Sequence, residues 1–600
     1  MRHPARKAVA AVIAAAVVAS APGVWASPDT SSSARKLPRI CAEEASWATS
    51  ARVDLSRFTS EGTVGIDGRQ VTSLLEPDAW RVWDPQDPAF GTRFHGMAWV
   101  VPGVRSGLPV VDLVVAREAA LPDPGSAVGN AELRVTGWTA GALRLRMGTV
   151  SCVYAATRDE RLIPIMEALV AANLDAVRYR GAPLNPVHNQ GTLANVALLE
   201  AARVFTRPEW RDTALVRFQQ DAAAVFSECG MTAEQSSAYQ LLNVSLWRRS
   251  LAAIGAEVNF PVDMGVAIRA GALAAWQLTR PDGILEGIGT GNPQTVTRVQ
   301  LGLDDTATLP TRLLCPDRGW AANRSSWDDT ATHYVLRFGP ARDFHGHDDR
   351  GAITWFTQGV PVFSDRGVFD RSRGERWLWA RSAMAHSTLR APGVGWRHGM
   401  RAWLSADDSV DRYYVRATSG TTRLERAFTI PLAQDDSETQ LLVMDTGRSE
   451  YPQQWYQRWQ LAPGWRLTHR TSAAAPAAVH DSAGLYLYGS CWWGGYSHLV
   501  TREVENFPAW RVAEPAHALE CGGRDTHVRM KTLWVVSPTE GTFSWDSRTG
   551  EYSLRPLSAD DSATLYSEKS AGPPTGGGAC WGKCTRNDTL RALPPSSSPM

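Results

Sequence analysis

The 600-residue sequence predicts a two-part α+β chain, helical in its first half and an antiparallel β-sandwich in its second. Two observations carry this. From about residue 40 to 300 apolar residues recur at helical spacing, and after about 305 the texture changes to short runs rich in Val, Thr, Trp, Tyr and Phe, bounded by Gly, Asp, Pro and Ser. The length agrees, because one hydrophobic core does not organise so long a chain.

The chain begins MRHPARKAVAAVIAAAVVASAPGVWASPDT, a basic start (Arg2, Arg6, Lys7) followed by a short alanine-rich apolar run and the small-residue pattern Val24-Trp25-Ala26. This predicts a signal peptide over 1–26, a disordered leader over 27–38 and a secreted, extracellular protein. No later stretch is apolar for long enough to span a membrane. Lys+Arg number 62 against Asp+Glu 61, a net charge of +1 that carries no nucleic-acid or membrane-surface signature. Eight cysteines in an exported chain allow four disulfides, and the spacing predicts only one pair, Cys580 with Cys584.

In the helical half, assigned to 39–304, EGTVGIDGRQVTSLLE near 61–76 is an exception that reads as extended. ERLIPIMEALVAANLDAV places Leu162, Met166, Leu169, Val170, Leu174 and Val177 on one stripe, and GTLANVALLEAARVF does the same with Leu193, Val196, Ala197, Ala201 and Val204. Amphipathic stretches follow at about 211–228, 238–254 and 264–278. Antiparallel helices with short links form a bundle or a toroid of helical hairpins, and periodicity does not choose between them. In the β half, assigned to 305–570, AITWFTQGVPVF, RYYVRATSG, RLERAFTIPL, QLLVMDTG, GLYLYGS and RMKTLWVVSP read as strands of a large sandwich. Residues 571–600, with PPTGGG and PPSSSP, read as a flexible tail. Most of the 25 tryptophans are expected to fill the two cores.

Three constellations carry candidate chemistry. LNPVHNQG places His188, Asn189 and Gln190 at a helix mouth, where simple capping is the plainer reading. EQSSAYQLL places Glu234 and Tyr239 at another, where a tyrosine ordinarily packs with its hydroxyl in water. FHGHDDRGAITWFTQGVPVFSDRG and RSAMAHSTL hold His345, His347, Asp365 and His386, and two imidazoles with a carboxylate suit zinc, although the spacing is too loose to be a zinc motif alone.

Taken in this order, HNQGTLANVALLEAARVF, EQSSAYQLL, the His345-Gly346-His347 block with its following strand pair, and RSAMAHSTL resemble the heparinase II/III-like polysaccharide lyases over most of the mature chain. The resemblance implies an incomplete (α/α) toroid followed by an antiparallel β-sandwich. It implies a lyase that cleaves a uronic-acid-containing polysaccharide by β-elimination, with the acidic polysaccharide as partner. In that reading Asn189 binds and neutralises the substrate carboxylate, Tyr239 is base and then acid, and His345 assists proton transfer. His347, Asp365 and His386 hold a structural zinc ion. His188, Gln190 and Arg324 are candidates for substrate contact, with Arg342 a further basic residue nearby.

Elimination needs these residue types. The C5 proton of a 4-linked uronate is too weakly acidic to leave until donors such as the Asn189 amide stabilise the enolate-like intermediate. A tyrosine whose pKa is lowered by nearby positive charge then takes that proton and returns it to O4, while His345 would serve when the proton lies on the other face. The chain departs from the family where Gln190 replaces a common His, Asp348 a small residue and Ser387 a common Asn. Two alternatives follow: an acidic-polysaccharide-binding protein that kept the scaffold without turnover, and a toroid glycoside hydrolase, for which Glu200 and Glu234 are the available carboxylates.

Overall fold

A computed structural model describes residues between Cys41 and Leu557, with interruptions of which the longest are 43–53, 126–136 and 392–400. The proposed signal peptide, leader and tail, with Cys580 and Cys584, lie outside the described residues. Extended structure near 61–76 is a small hairpin of β1 (Val64–Ile66) and β2 (Arg69–Val71).

The helices that follow are α1 (Pro88–Gly96), α2 (Val110–Ala120), α3 (Ala140–Thr157), α4 (Leu162–Leu174), α5 (Asn189–Phe205), α6 (Pro208–Ala222), α7 (Ser237–Ile254) and α8 (Met264–Gln277). Their starts are chemically marked: Thr139, Ser236 and Asp263 each accept a hydrogen bond from a first-turn amide, and Pro208 opens α6. The stripe predicted around 162–177 is α4, in which Leu162, Met166, Leu169 and Val170 are buried while Leu174 is exposed, and in α5 Ala197 and Ala201 of the predicted stripe are buried but Leu193, Val196 and Val204 are only half-buried, because the helix turns its smaller residues inward. Helix α6 ends at Ala222, six residues short of its expected limit, because the chain turns there towards Cys229. Among the described residues, no helix is long and apolar enough to cross a membrane.

A five-stranded antiparallel meander comes next, formed by β3 (Leu313–Cys315), β4 (Trp320–Arg324), β5 (His333–Arg337), β6 (Ile353–Thr357) and β7 (Val360–Phe363). Strands β4, β5 and β6 are buried along their full length because both faces are covered. Alternation sorts their side chains between two cores: Trp320, Ala322 and Val335 pack with the helices, whereas Ala321, Tyr334 and Leu336 pack with the sandwich.

The second layer is an eleven-stranded sheet in which β8 (Arg401–Ala406), β9 (Val410–Ser419), β10 (Thr422–Pro431), β11 (Thr439–Gln460), β14 (Val512–Ser537) and β12 (Leu485–Trp493) lie side by side, with β13 (Val500–Ala509) also on β14. All its pairings are antiparallel, and β9 and β10 show the strict buried–exposed alternation of a sheet with one covered face. Between the two sheets a buried pair crosses the layers: Arg426 Nε lies 3.0 Å from Asp445 Oδ1, and Arg426 Nη1 donates to the carbonyls of Gly351 and Ser387.

Three disulfides join Cys41–Cys152, Cys229–Cys315 and Cys491–Cys521. The second ties the segment after α6 to β3, and so the helical layer to the first strand.

Candidate active site

Three segments from distant parts of the sequence are stitched together where the helices meet the five-stranded sheet. Gln235 adopts a left-handed backbone (φ 54°) that turns the chain into α7, and Ser236 caps that helix while its hydroxyl donates to the Thr290 carbonyl at 3.1 Å. The Thr290 amide donates to the His345 carbonyl at 2.8 Å, so the loop after α8 holds the histidine turn. Gln235 Oε1 accepts from the Asp343 amide at 3.2 Å and from Arg350 Nη2 at 3.0 Å, fixing the same turn from the other side. Gly346 is required there, since a Cβ atom would sit 2.1 Å from that oxygen.

This scaffold presents Tyr239 and His345 with their rings stacked, centroids 3.5 Å apart and planes 7° from parallel. Tyr239 is only 6% exposed, so the surface reading of a first-turn tyrosine does not hold. The Arg371 guanidinium lies 5.5 Å from the centre of the Tyr239 ring and hydrogen-bonds its hydroxyl. Asn189 also differs from its plainer reading: His188 is the N-cap of α5, and Asn189 is a buried helical residue whose side chain caps nothing. Its amide nitrogen Nδ2 donates to Glu234 Oε2 at 2.5 Å and its backbone N–H donates to Glu234 Oε1 at 2.9 Å. Glu234 thus caps α5 from another segment, where a carboxylate meets the positive end of the helix dipole. It also accepts from Asn243 Nδ2 at 2.7 Å and lies 3.4 Å from His345 Nε2, which links the two helix mouths to the histidine turn.

Gln190 steadies this arrangement. Its Nε2 donates to Asn189 Oδ1 at 2.8 Å and its Oε1 accepts from Arg144 Nε at 3.2 Å, so the Asn189 amide is oriented at both ends. Asp348 carries a neutralising partner, Arg342 Nη1 at 2.9 Å. Ser387 Oγ accepts from the Gln460 amide at 2.9 Å, a role in joining the sheets. Arg324 is elsewhere. Its guanidinium is buried, donates to the carbonyls of Trp276 and Thr279, and stacks 3.9 Å from Trp327, while burial pulls its pKa down to about 9. The polar neighbourhood ANRSSWDD gives a surface appearance to a residue that lies on a strand covered on both faces.

The protonation balance departs from expectation at the tyrosine. Burial pushes the Tyr239 hydroxyl above its ordinary value, and the positive charge of Arg371 opposes this without overcoming it. Burial, then the charges of Arg371, Arg381 and His188, hold His345 well below the usual histidine range, so its imidazole is neutral at pH 7. Glu234 is raised to about 7 by burial, against the donors that face it. The folded protein therefore keeps a proton on Glu234 that the unfolded chain releases near the ordinary carboxylate value. The stability this contributes is present at low pH and is lost as pH rises through about 7. Glu286, buried and also raised to about 7, has the same sign. The melting temperature is expected to fall between about pH 5 and pH 8, and Glu234→Gln to remove about half of that slope, as read by thermal unfolding across a pH series.

Beside this cluster lie the proposed metal ligands. His386 Nδ1 is 2.8 Å from Asp365 Oδ2, and the rings of His347 and His386 are 5.4 Å apart. All three are buried, and His347 Nδ1 and His386 Nε2 have no hydrogen-bond partner among the described residues. Two orphaned imidazole nitrogens and a buried carboxylate are donor types that suit zinc, but their ligand atoms do not gather within 4.8 Å of one another, and Asp365 meets His386 on Nδ1, the ring nitrogen opposite the orphaned Nε2. The other carboxylate weighed for hydrolysis, Glu200, lies eleven residues along α5 from Asn189 and pairs with Arg203. At 1.5 Å per residue that is about 16 Å from the helix mouth, too far to oppose Glu234 across one glycosidic bond.

Arg371 and the cross-helix role of Glu234 are the parts that sequence reasoning missed. Glu234 was visible only as a neighbour of Tyr239, and Arg371, in DRSRGERW, carried no signal beyond its charge.

Comparison with known proteins bears on the fold that carries this site. The heparinase II/III-like C-terminal family matches residues 308–521. A heparin-sulfate lyase of Pedobacter heparinus is 37% identical over 75 residues, 12% of this chain, and that stretch spans 11% of the relative's length. Among solved structures, heparinase III superposes with a TM-score of 0.64 at 13% identity, covering 85% of this chain and 87% of the other. The heparan sulfate lyase HepC from Pedobacter heparinus does so with a TM-score of 0.51 at 15% identity, covering 88% and 91%. The fold is accordingly a helical toroid followed by an antiparallel β-sandwich, which settles the choice between bundle and toroid, and its C-terminal region is similar to the heparinase II/III-like family.

Proposed function

We propose that this protein is a polysaccharide lyase that cleaves a uronic-acid-containing polymer by β-elimination. The observation that carries the reading is the stacked Tyr239–His345 pair with the Asn189 amide and Arg371 beside it. Asn189, oriented by Gln190 and Glu234, donates to the substrate carboxylate and stabilises charge as C5 is deprotonated. The Arg371 guanidinium favours the phenolate form of Tyr239, which takes the C5 proton and returns it to O4 as the C4–O4 bond breaks. His345, neutral and able to accept a proton, serves substrates whose C5 proton lies on the opposite face.

In this reading His347, Asp365 and His386 hold zinc, which would supply positive charge and order the histidine turn. Removing the metal with a chelator is expected to lower the melting temperature, reloading zinc to restore it, and His386→Ala to abolish the difference. The three disulfides of the described chain suit an oxidising compartment, which supports export and cleavage after Ala26. Intact mass of the secreted protein tests that boundary.

The decisive measurement is the product. Incubation with heparan sulfate, heparin, hyaluronan, chondroitin and alginate is expected to yield an ultraviolet-absorbing C4–C5 unsaturated end on at least one polymer. New reducing ends without that absorbance would identify hydrolysis, and binding without either would identify a non-catalytic scaffold.

A further inference from the structure

The strands of the eleven-stranded sheet bury one face against the five-stranded sheet, through Tyr413, Val415, Leu424, Phe428, Leu441 and Val443. Their other face points away from the candidate active site, which lies on the far side of the five-stranded sheet. Reading the register across that outer face gives three cross-strand rows. One runs Trp403, Tyr414, Ala427, Met444, Lys531 and Trp492; the next Arg416, Glu425, Thr446 and Arg529; the third Thr418, Arg423, Arg448 and His527. With Arg412 the rows carry six Lys or Arg side chains and one carboxylate, Glu425.

That carboxylate does not balance the face. Arg416 lies 3.2 Å from Glu425 Oε1 and Arg423 binds the same oxygen, so two cations share one anion. Among the described residues Arg448 and Arg529 are exposed and have no ion-pair partner. Lys531 donates to the Ser547 carbonyl and forms no ion pair among the described residues. Acids border the face: exposed Glu450 and Asp525 at the irregularity between Arg448 and Gln453, and partly exposed Asp546 beside the Ser547 carbonyl that Lys531 meets. The chain as a whole has a net charge of only +1, so this concentration is local. At the edge of the patch Trp403, 49% exposed, packs 5.5 Å from Tyr414 and offers aromatic surface beside the guanidinium rows.

We propose that this outer face is a second, non-catalytic binding site for an anionic polysaccharide, held by the Arg416, Arg423, Arg448 and Arg529 guanidiniums with Trp403 and Tyr414 as a sugar-stacking edge. The fit is one of charge and shape. Neighbouring strands lie about 4.8 Å apart, so the rows array cations at regular intervals across the sheet for an extended polyanion, and planar guanidiniums match sulfate and carboxylate groups. The choice of a polysaccharide over a nucleic acid rests on the aromatic edge that Trp403 and Tyr414 offer to sugar rings. Because the site lies away from Tyr239, the inference does not depend on turnover.

The test uses the full-length mature protein carrying Tyr239→Phe, so that no polymer is consumed, and fluorescently labelled long-chain heparin as probe. Arg448→Ser with Arg529→Ser is expected to weaken binding about tenfold, from the loss of two surface charges and their neighbours' cooperation. Trp403→Ala should weaken it several-fold, and melting temperatures should stay unchanged in both. In the Tyr239-containing protein, the Arg448 and Arg529 changes should leave turnover of a short oligosaccharide unaltered. Unchanged heparin affinity in both variants would overturn the proposal, as would tighter binding of a double-stranded oligonucleotide than of heparin. Should heparin bind through this face while no polymer yields an unsaturated product, the lyase reading falls and the binding site stands.

Discussion

Tyr239→Phe is expected to lower kcat on the polymer that gives unsaturated product by about 10³, within the usual range for removing a general acid–base group. KM should change little, because the phenyl ring still stacks on His345 and, among the described residues, the lost hydroxyl bonds to Arg371. Unchanged thermal stability would show that the loss is chemical. A fall of less than tenfold would assign proton abstraction to His345, and the same assay on His345→Ala would then show the larger loss. Burial raises the Tyr239 pKa, so in the unsubstituted protein the limb of the pH–rate profile set by deprotonation of Tyr239 should lie at alkaline pH, shift further up in Arg371→Ala, where the opposing charge is gone, and be absent from Tyr239→Phe.

Asp445→Ala should destabilise the protein by about 3–5 kcal/mol, the cost of leaving a buried cation without its anion. Arg426 and Asp445 are fully buried, and with Asp445 gone the Arg426 Nε loses its only charge partner, while Gln457 Nε2 loses an acceptor at 2.8 Å. Chemical denaturation should show a lower midpoint with an unchanged slope. The double replacement Arg426→Met with Asp445→Leu should recover much of the loss, since exchanging a whole buried pair for apolar groups of similar volume costs less than orphaning one member. A single variant as stable as the parent would mean that water reaches the pair.

The two halves of the fold were legible because burial writes a period into sequence, three to four residues along α4 and two along β9 and β10, whereas α5 is buried on most sides and its apolar stripe did not mark the inward face. The His345-Gly346-His347 block was legible because its chemistry is local. What sequence did not reveal depends on tertiary contact. The direction of the Tyr239 pKa turns on how deeply α7 is covered, the placement of Arg324 on a strand enclosed on both faces, and the role of Gln235 on a left-handed backbone whose side chain reaches a turn far along the chain. Three disulfide pairs were equally hidden, because spacing among eight cysteines does not specify partners.

The stacked rings come from opposite sides of the junction between helices and sheets, Tyr239 from a helix and His345 from a turn of the β layer, bridged by Glu234. Neither half holds a competent site by itself. During synthesis the helical half leaves the ribosome first, and it carries Asn189 and Tyr239 without their histidine. If the proposed lyase reading holds, turnover is a property of the finished chain, and a nascent or clipped protein would have no means to degrade the polymer until the C-terminal half has docked.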